Sequence, residues 1–253
     1  MHINPPDTEL GALLVQASLT GRPVPVSSTL EPEHADMAYA IQLEILVKRR
    51  QKITGWKVGA KTPDSTPHCA ALPQDCLLPQ NISINSNRYP VLGLELEIAF
   101  TFSRDFLPRP IAYSEEEVLS SLHQMCTTVE IVSSRIASWP DTGGLTQLAD
   151  FQNHGALIVG ELVDYDQAFP YMEVAVELQL DQHPLFSGSG KNNAGDPRRL
   201  LPWLVNHCRR FDVPLIAGDL VTCGSYVGVH FPNATGAVNG RIGTLPPISF
   251  DLA

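Results

Sequence analysis

The chain has 253 residues, 43% hydrophobic and 17% charged, ordinary proportions for a folded protein able to bury a sizeable core. Its formal net charge of -10 argues against nucleic acid or an anionic membrane as a partner, because phosphate recognition rests on lysine and arginine. Five cysteines without CxxC spacing support neither a disulfide framework nor a zinc cluster and fit a reduced, cytoplasmic setting.

The chain starts Met1-His2-Ile3-Asn4-Pro5-Pro6-Asp7, with no basic region leading into an apolar run, and nowhere do about eighteen uncharged apolar residues follow one another, so neither a secretion signal nor a membrane span is expected. Asp7-Thr8-Glu9 predicts the cap of a helix that carries Leu10, Leu13, Leu14 and Ala17 and ends near Gly21-Arg22-Pro23. A second helix is expected from about Glu31 to Arg50. Ala35, Ala38, Tyr39, Ile41, Gln42, Ile45 and Leu46 form its apolar face, and Lys48-Arg49-Arg50 read as a solvated basic end that suits the helix dipole. Ile53 to Val58 reads as a strand with Lys57 near its end, where Gly55 and Gly59 permit close backbone approach. Residues 62 to 88 are rich in Pro, Asn, Ser and Asp without a sustained period, and are expected to form a loop with short strands, a candidate lid.

Gly93 to Phe100 alternates acidic and aliphatic residues, the period of a β-strand, which puts Leu94, Leu96 and Ile98 on one face and Glu95 with Glu97 on the other. Two readings follow: a half-buried strand with a solvated acidic face, or a divalent-metal site that needs a third oxygen ligand. Ser114 to Glu117 has the form of a capping box, opening a helix through Leu119, Leu122 and Met125. Glu130 lies in the β-branched run Thr128 to Arg135 and, if buried, requires either a cation such as Arg135 or a bound metal. Three carboxylates with remaining positions open to water suit Mg²⁺ or Mn²⁺, not zinc.

Asp150 and His154 fall in a polar loop between Leu148 and a strand over Ala156 to Val159; His154 is given no catalytic role. Tyr171 to Leu180 alternates as a strand, and Gly188-Ser189-Gly190-Lys191 lacks the spacing of a phosphate loop. Asp196-Pro197 is a cap and first-turn pair for a helix with Leu200, Leu201, Trp203, Leu204 and Cys208, its start left open by Pro202. Leu220 to Cys223 and Ile248 to Leu252 read as strands, with turns at Gly236, Gly240 and Gly243. The first 52 residues are thus helical, packed on a β-rich body over 53–253.

Glu95-x-Glu97, followed about thirty residues later by Glu130-Ile131-Val132-Ser133-Ser134-Arg135, resembles the fumarylacetoacetate hydrolase superfamily. The likeness is to the branch of 2-keto-4-pentenoate hydratases and 2-oxo-acid decarboxylases. Gly55 to Lys61, Leu148 to Gly160, Gly188 to Leu204 and Ala217 to Ser225 are similar to further blocks of that family in the same order. The resemblance implies an α+β fold: a mixed, bent β-roll like the fumarylacetoacetase C-terminal domain, with the N-terminal helices outside. It also implies Glu95, Glu97 and Glu130 as ligands of Mg²⁺ or Mn²⁺, Lys57 as the active-site lysine transferring protons with a lowered pKa, Ser225 as a substrate contact, and Asp150 orienting Lys57 or a water. The implied reaction is hydration of a 2-hydroxy-2,4-dienoate to a 4-hydroxy-2-oxo acid in aromatic-compound catabolism. Decarboxylation of a 2-oxo-3-enedioate such as 4-oxalocrotonate, C–C hydrolysis of an acylpyruvate, and an inactive partner subunit are the alternatives. Expected partners are a small 2-oxo or 2-enol acid, further copies of the chain in a homo-oligomer, and a pathway neighbour. Departures lie around the pocket: Phe151 and Cys223 stand where the family commonly has Asn and Thr, and only Asp75 answers to a family loop acid.

Overall fold

Alternating apolar positions build two sheets, and the helices cover what those sheets leave exposed. The computed structural model describes residues 7–253; the opening six, on which the expectation of no secretion signal rests, lie outside the described residues. In chain order the elements are α1 (Glu9–Thr20), α2 (Ala35–Lys48), β1 (Ile53–Gly59), β2 (His68–Pro73), β3 (Leu77–Pro79), β4 (Ser83–Ile84), β5 (Gly93–Phe102), α3 (Glu115–Leu119), β6 (Leu122–Val132), α4 (Gly144–Ala149), β7 (His154–Val159), β8 (Val163–Asp164), β9 (Glu173–Leu180), β10 (His183–Lys191), α5 (Leu200–Arg210), β11 (Leu220–Ser225), β12 (Gly236–Ile242) and β13 (Ile248–Leu252).

One sheet runs β2-β1-β11-β5-β6-β7-β3 with β8 on β6; the other runs β10-β9-β12-β13-β4. The first is mixed, since β1 pairs parallel with β11 and β3 parallel with β7 while β5 and β6 are antiparallel. It curls until its two edges approach: β2 and β3 stand at opposite edges of the sheet, yet only Gln74–Cys76 separate them in the chain. Curling divides the core in two. Leu72, Ala99, Cys126, Leu157 and Leu220 form a small cluster on the inner face. There a tight curl leaves room for few large side chains. Leu94, Leu96, Ile98, Phe100, Val129 and Ile131 point the other way into the main core. The second sheet packs on that outer side, with Gly240 of β12 so close to Leu96 that a Cβ would come within 2.6 Å of its Cδ1.

The first helix forms where its cap predicts, and the second starts at Ala35, capped by His34, later than the expected Glu31. Thr8 accepts the N–H of Gly11 through Oγ1 at 2.9 Å, and Gly21 closes α1 in the left-handed region at φ 67°. Thr8 also donates its N–H and hydroxyl to the buried carboxylate of Glu44, at 3.1 and 2.7 Å, tying α1 to α2. Gln42 fastens α2 to the body: its amide donates to the carbonyls of Cys69 and Leu148 and its oxygen accepts from the N–H of Ala71.

Residues 62–88 hold short strands, β2, β3 and β4, joined by loop as expected; β2 has both faces covered, so His-Cys-Ala-Ala-Leu-Pro has no polar face to alternate. Two expectations need correction. The Ser114 capping box is present, but its helix ends at Leu119, and Leu122 to Met125 open β6 because the sheet claims them. Gly236 to Ile242 is a strand in place of the expected turns, its small residues fitting beneath β5. Pro202 sits in the first turn of α5, where its missing N–H has no intrahelical partner to lose. Among the described residues no helix is long and apolar enough to cross a membrane.

Candidate active site

Register places the three glutamates. Glu95 lies directly across from Glu130, Glu97 across from Thr128, and Glu130 across from Leu157, so all three carboxylates share the inner face above the Ala99–Cys126–Leu157 floor. One oxygen from each lies within 4.8 Å of the others. Glu97 and Glu130 are buried and Glu95 is partly open, marking the mouth.

Their polar partners are unequal. Glu97 accepts the hydroxyl of Thr222 and, at 3.2 Å, the N–H of Gly224. Glu130 accepts Lys57 Nζ at 2.5 Å and His154 Nδ1 at 3.0 Å, both on Oε1. Its Oε2 is buried without a partner. Burial first, and then the charge of Glu130, push Glu95 up to about 7; burial, Glu130 and Glu95 push Glu97 up to about 8. Burial also pushes Glu130 up, but Lys57 and His154 together outweigh it and hold that carboxyl below its usual range.

A hard divalent cation fits these groups. The donors are carboxylate oxygens only, one of them is an orphaned buried acceptor, and the crowding that raises Glu95 and Glu97 is what a cation would relieve. Glu95, Glu97 and Glu130 are the residues that would hold it.

Lys57 corrects one expectation. Burial pushes its amine down, yet Glu130, Glu95 and Glu97 together outweigh burial and hold the ammonium above the usual lysine range. A lowered value required an adjacent cation to dominate; in the protein alone the three acids decide the sign. Nζ also donates to the carbonyl of Gln152 at 3.2 Å.

Asp150 does not meet Lys57. It accepts the backbone N–H of Arg135 at 2.9 Å, the Arg135 Nε–H, and the Ser134 hydroxyl at 2.9 Å. Burial pushes its carboxyl up against the pull of Arg135. Arg135 in turn donates to the carbonyls of Asp150 (3.0 Å) and His154 (2.8 Å). The pair clamps a turn in which Phe151, Gln152 and Asn153 are all left-handed, with φ of 52°, 51° and 60°. Non-glycine residues resist that conformation by roughly 1–2 kcal/mol each, so the clamp is what makes the turn possible. Arg135 is therefore not the partner of Glu130; Lys57 and His154 are.

Ser225 stands across from Glu97 on β11, its hydroxyl donating to the carbonyl of Gly228 at 2.9 Å. Asp75 pairs with Arg49 at 2.6 Å, away from the three glutamates. Sequence reasoning missed Thr222 and His154. Thr222 pairs with both Lys57 and Ala99, and His154 pairs with Val132, two residues from Glu130. Only strand register carries that signal. An open cavity of about 490 Å³ adjoins the turn, lined in part by Lys61, His68, Gln147, Gln152 and Asn153.

No family model matches the chain. It is 27% identical over 230 residues to a 2-keto-4-pentenoate hydratase from Paraburkholderia xenovorans, covering 86% of this chain and 84% of that one. Its structure is similar to a 4-oxalocrotonate decarboxylase from Pseudomonas putida G7 complexed with magnesium and adipate, with a TM-score of 0.83 at 18% identity over 99% of this chain and 100% of that one. A fumarylpyruvate hydrolase from Pseudomonas aeruginosa in complex with Mn²⁺ and pyruvate is similar at a TM-score of 0.57 and 16% identity, over 78% of this chain and 88% of that one. Sequence likeness along most of the chain joins it to the 2-keto-4-pentenoate hydratases, its curled sheet has the fold of the 4-oxalocrotonate decarboxylase, and the E-x-E motif stands at the mouth of that sheet.

Proposed function

We propose that the protein is a divalent-metal-dependent lyase that adds water to a 2-hydroxy-2,4-dienoate, giving a 4-hydroxy-2-oxo acid. The observation that carries this reading is the convergence of Glu95, Glu97 and Glu130 beside Lys57, in a chain similar over most of its length to a hydratase of that substrate type. Mg²⁺ or Mn²⁺, held by the three glutamates, would supply Lewis-acid stabilisation of negative charge at the substrate's carboxylate and C2 oxygen.

The chain's own groups do the rest. Lys57 rests as an ammonium, since its acids hold it so. It therefore acts first as an acid, placing its proton at C5 while the C2 hydroxyl releases its own proton to solvent, so that the dienol becomes the 2-oxo-3-enoate. Water then adds at C4; the proton it loses returns to the lysine amine, and C3 takes one proton back from solvent to complete the 4-hydroxy-2-oxo acid. Ser225, beside Glu97, holds the oxo-acid end, while the Asp150–Arg135 clamp fixes the turn that holds Lys57 through the Gln152 carbonyl. Assembly into homo-oligomers in the cytoplasm belongs to the same proposal; Leu19 and Val47, on α1 and α2, are exposed apolar side chains suited to it.

Decarboxylation of a 2-oxo-3-enedioate is the second reading. The full-length fold likeness to the decarboxylase favours it, as does Lys61 in the adjoining cavity, a cation suited to a second carboxylate. Incubation with 2-hydroxypenta-2,4-dienoate and with 4-oxalocrotonate, with and without Mg²⁺, separates the two by ultraviolet absorbance and released carbon dioxide. We expect Mg²⁺-dependent loss of the dienoate without carbon dioxide, and a rate about 10²–10³-fold lower in Glu97→Gln, on the order of what losing a principal charge-stabilising group costs. Turnover untouched by chelator or by that substitution would overturn the metal-dependent reading.

A further inference from the structure

His154 is a buried group for which the reaction above has no use. It opens β7 and is 1% exposed, and its ring meets the one glutamate that Lys57 also meets. A carboxylate offers acceptors only, so the 3.0 Å contact is a donated Nδ1–H, which fixes the tautomer of the neutral ring. Two donors, Nζ at 2.5 Å and Nδ1 at 3.0 Å, thus converge on Oε1 while Oε2 is buried with none. Rotating the carboxylate to share its oxygens would break both bonds. Neither donor can follow such a rotation. Lys57 is tied to the carbonyl of Gln152, and the carbonyl of His154 is tied to Arg135, whose clamp on Asp150 holds the left-handed turn between them.

We propose that His154 is a positioning residue that, with Lys57, keeps Oε1 of Glu130 out of coordination and presents Oε2 alone, making Glu130 a one-oxygen ligand. This rests on the metal reading above and deepens it. The consequence is selectivity. Ca²⁺ takes about 6–8 oxygens and uses two-oxygen carboxylates freely, whereas Mg²⁺ demands a near-octahedral shell at about 2.0–2.1 Å; a glutamate locked to one oxygen favours the smaller ions.

The test is titration of the purified protein with Mn²⁺, free ion read by electron paramagnetic resonance, alone and in competition with Ca²⁺. Wild type, Glu97→Gln, His154→Leu, His154→Asn and His154→Gln are compared, with circular dichroism reporting the fold. His154→Leu should weaken Mn²⁺ binding by about 10–100-fold, the usual cost of losing a hydrogen-bonded support behind a ligand, and lower the preference for Mn²⁺ over Ca²⁺. His154→Asn, whose amide N–H falls near the position of Nδ1, should stay within about threefold of wild type on the same scale, and His154→Gln, whose amide falls near Nε2, should not. The Asn and Gln pair gives the same contrast if the leucine variant fails to fold. Wild-type affinity in His154→Leu, or equal losses in Asn and Gln, would overturn the inference while leaving the metal site standing. Wild-type protein that binds no Mn²⁺, or binds it equally well as Glu97→Gln, would instead overturn the metal reading on which it rests.

Discussion

Glu95 and Glu97 owe their chemistry to having no cation of their own: the one lysine within reach is spent mainly on Glu130. Their pKa values of about 7 and about 8 therefore set a proton competition at the metal site. The sign follows directly. Both groups hold protons below those values and must release them to bind an ion, so affinity for Mn²⁺ should rise between pH 6 and 8 and level off above, with protons released on binding. Calorimetry in buffers of different ionisation enthalpy reads both; affinity flat across that range would contradict the account. At this scale the sequence was partly legible. Alternation put Glu95 and Glu97 on one face, and an acid inside a β-branched run marked Glu130. Thr222 and His154 were not legible, because what makes them part of the site is which strand lies beside which. Asp150 was legible as important but not in its role, since its partner Arg135 comes from a different strand end.

Among the elements, caps were the clearest part of the chain and buried strands the least. Thr8, Ser114 and Asp196 each cap as their side chains dictate. The bounds of β2 were hidden within a stretch read as loop with short strands because both of its faces are covered, and the end of α3 was misplaced because Leu122 to Met125 satisfy helix and strand patterns alike until the sheet chooses. The cap of α1 also ties that helix to Glu44. Thr8→Ala should therefore cost about 1–2 kcal/mol of stability, the upper part of the range for a lost cap because a hydroxyl bond to a buried carboxylate goes with it. Urea unfolding should show that loss while Mn²⁺ affinity stays at the wild-type value. A coupled loss of both would mean that α1 supports the site directly.

For the molecule as a whole, curling one sheet produces both fold and site. The outward face of β5 and β6 is hydrocarbon and holds the second sheet; the inward face has a small apolar floor that includes Ala99 and Cys126, with three carboxylates at the mouth. Period two specifies which residues go to which face, and the match of blocks along the chain specified the architecture, but the curl that turns an acidic face inward is a tertiary event no local pattern encodes. A chain of net charge -10 that concentrates acids in a buried cradle has a ready use for a small divalent cation. Crystals grown with Mn²⁺ and measured at the manganese absorption edge test this most directly. The account predicts an anomalous peak bonded to one oxygen each of Glu95, Glu97 and Glu130 at about 2.0–2.3 Å. Density without a peak there, or a Glu95 carboxylate turned away into solvent, would contradict it.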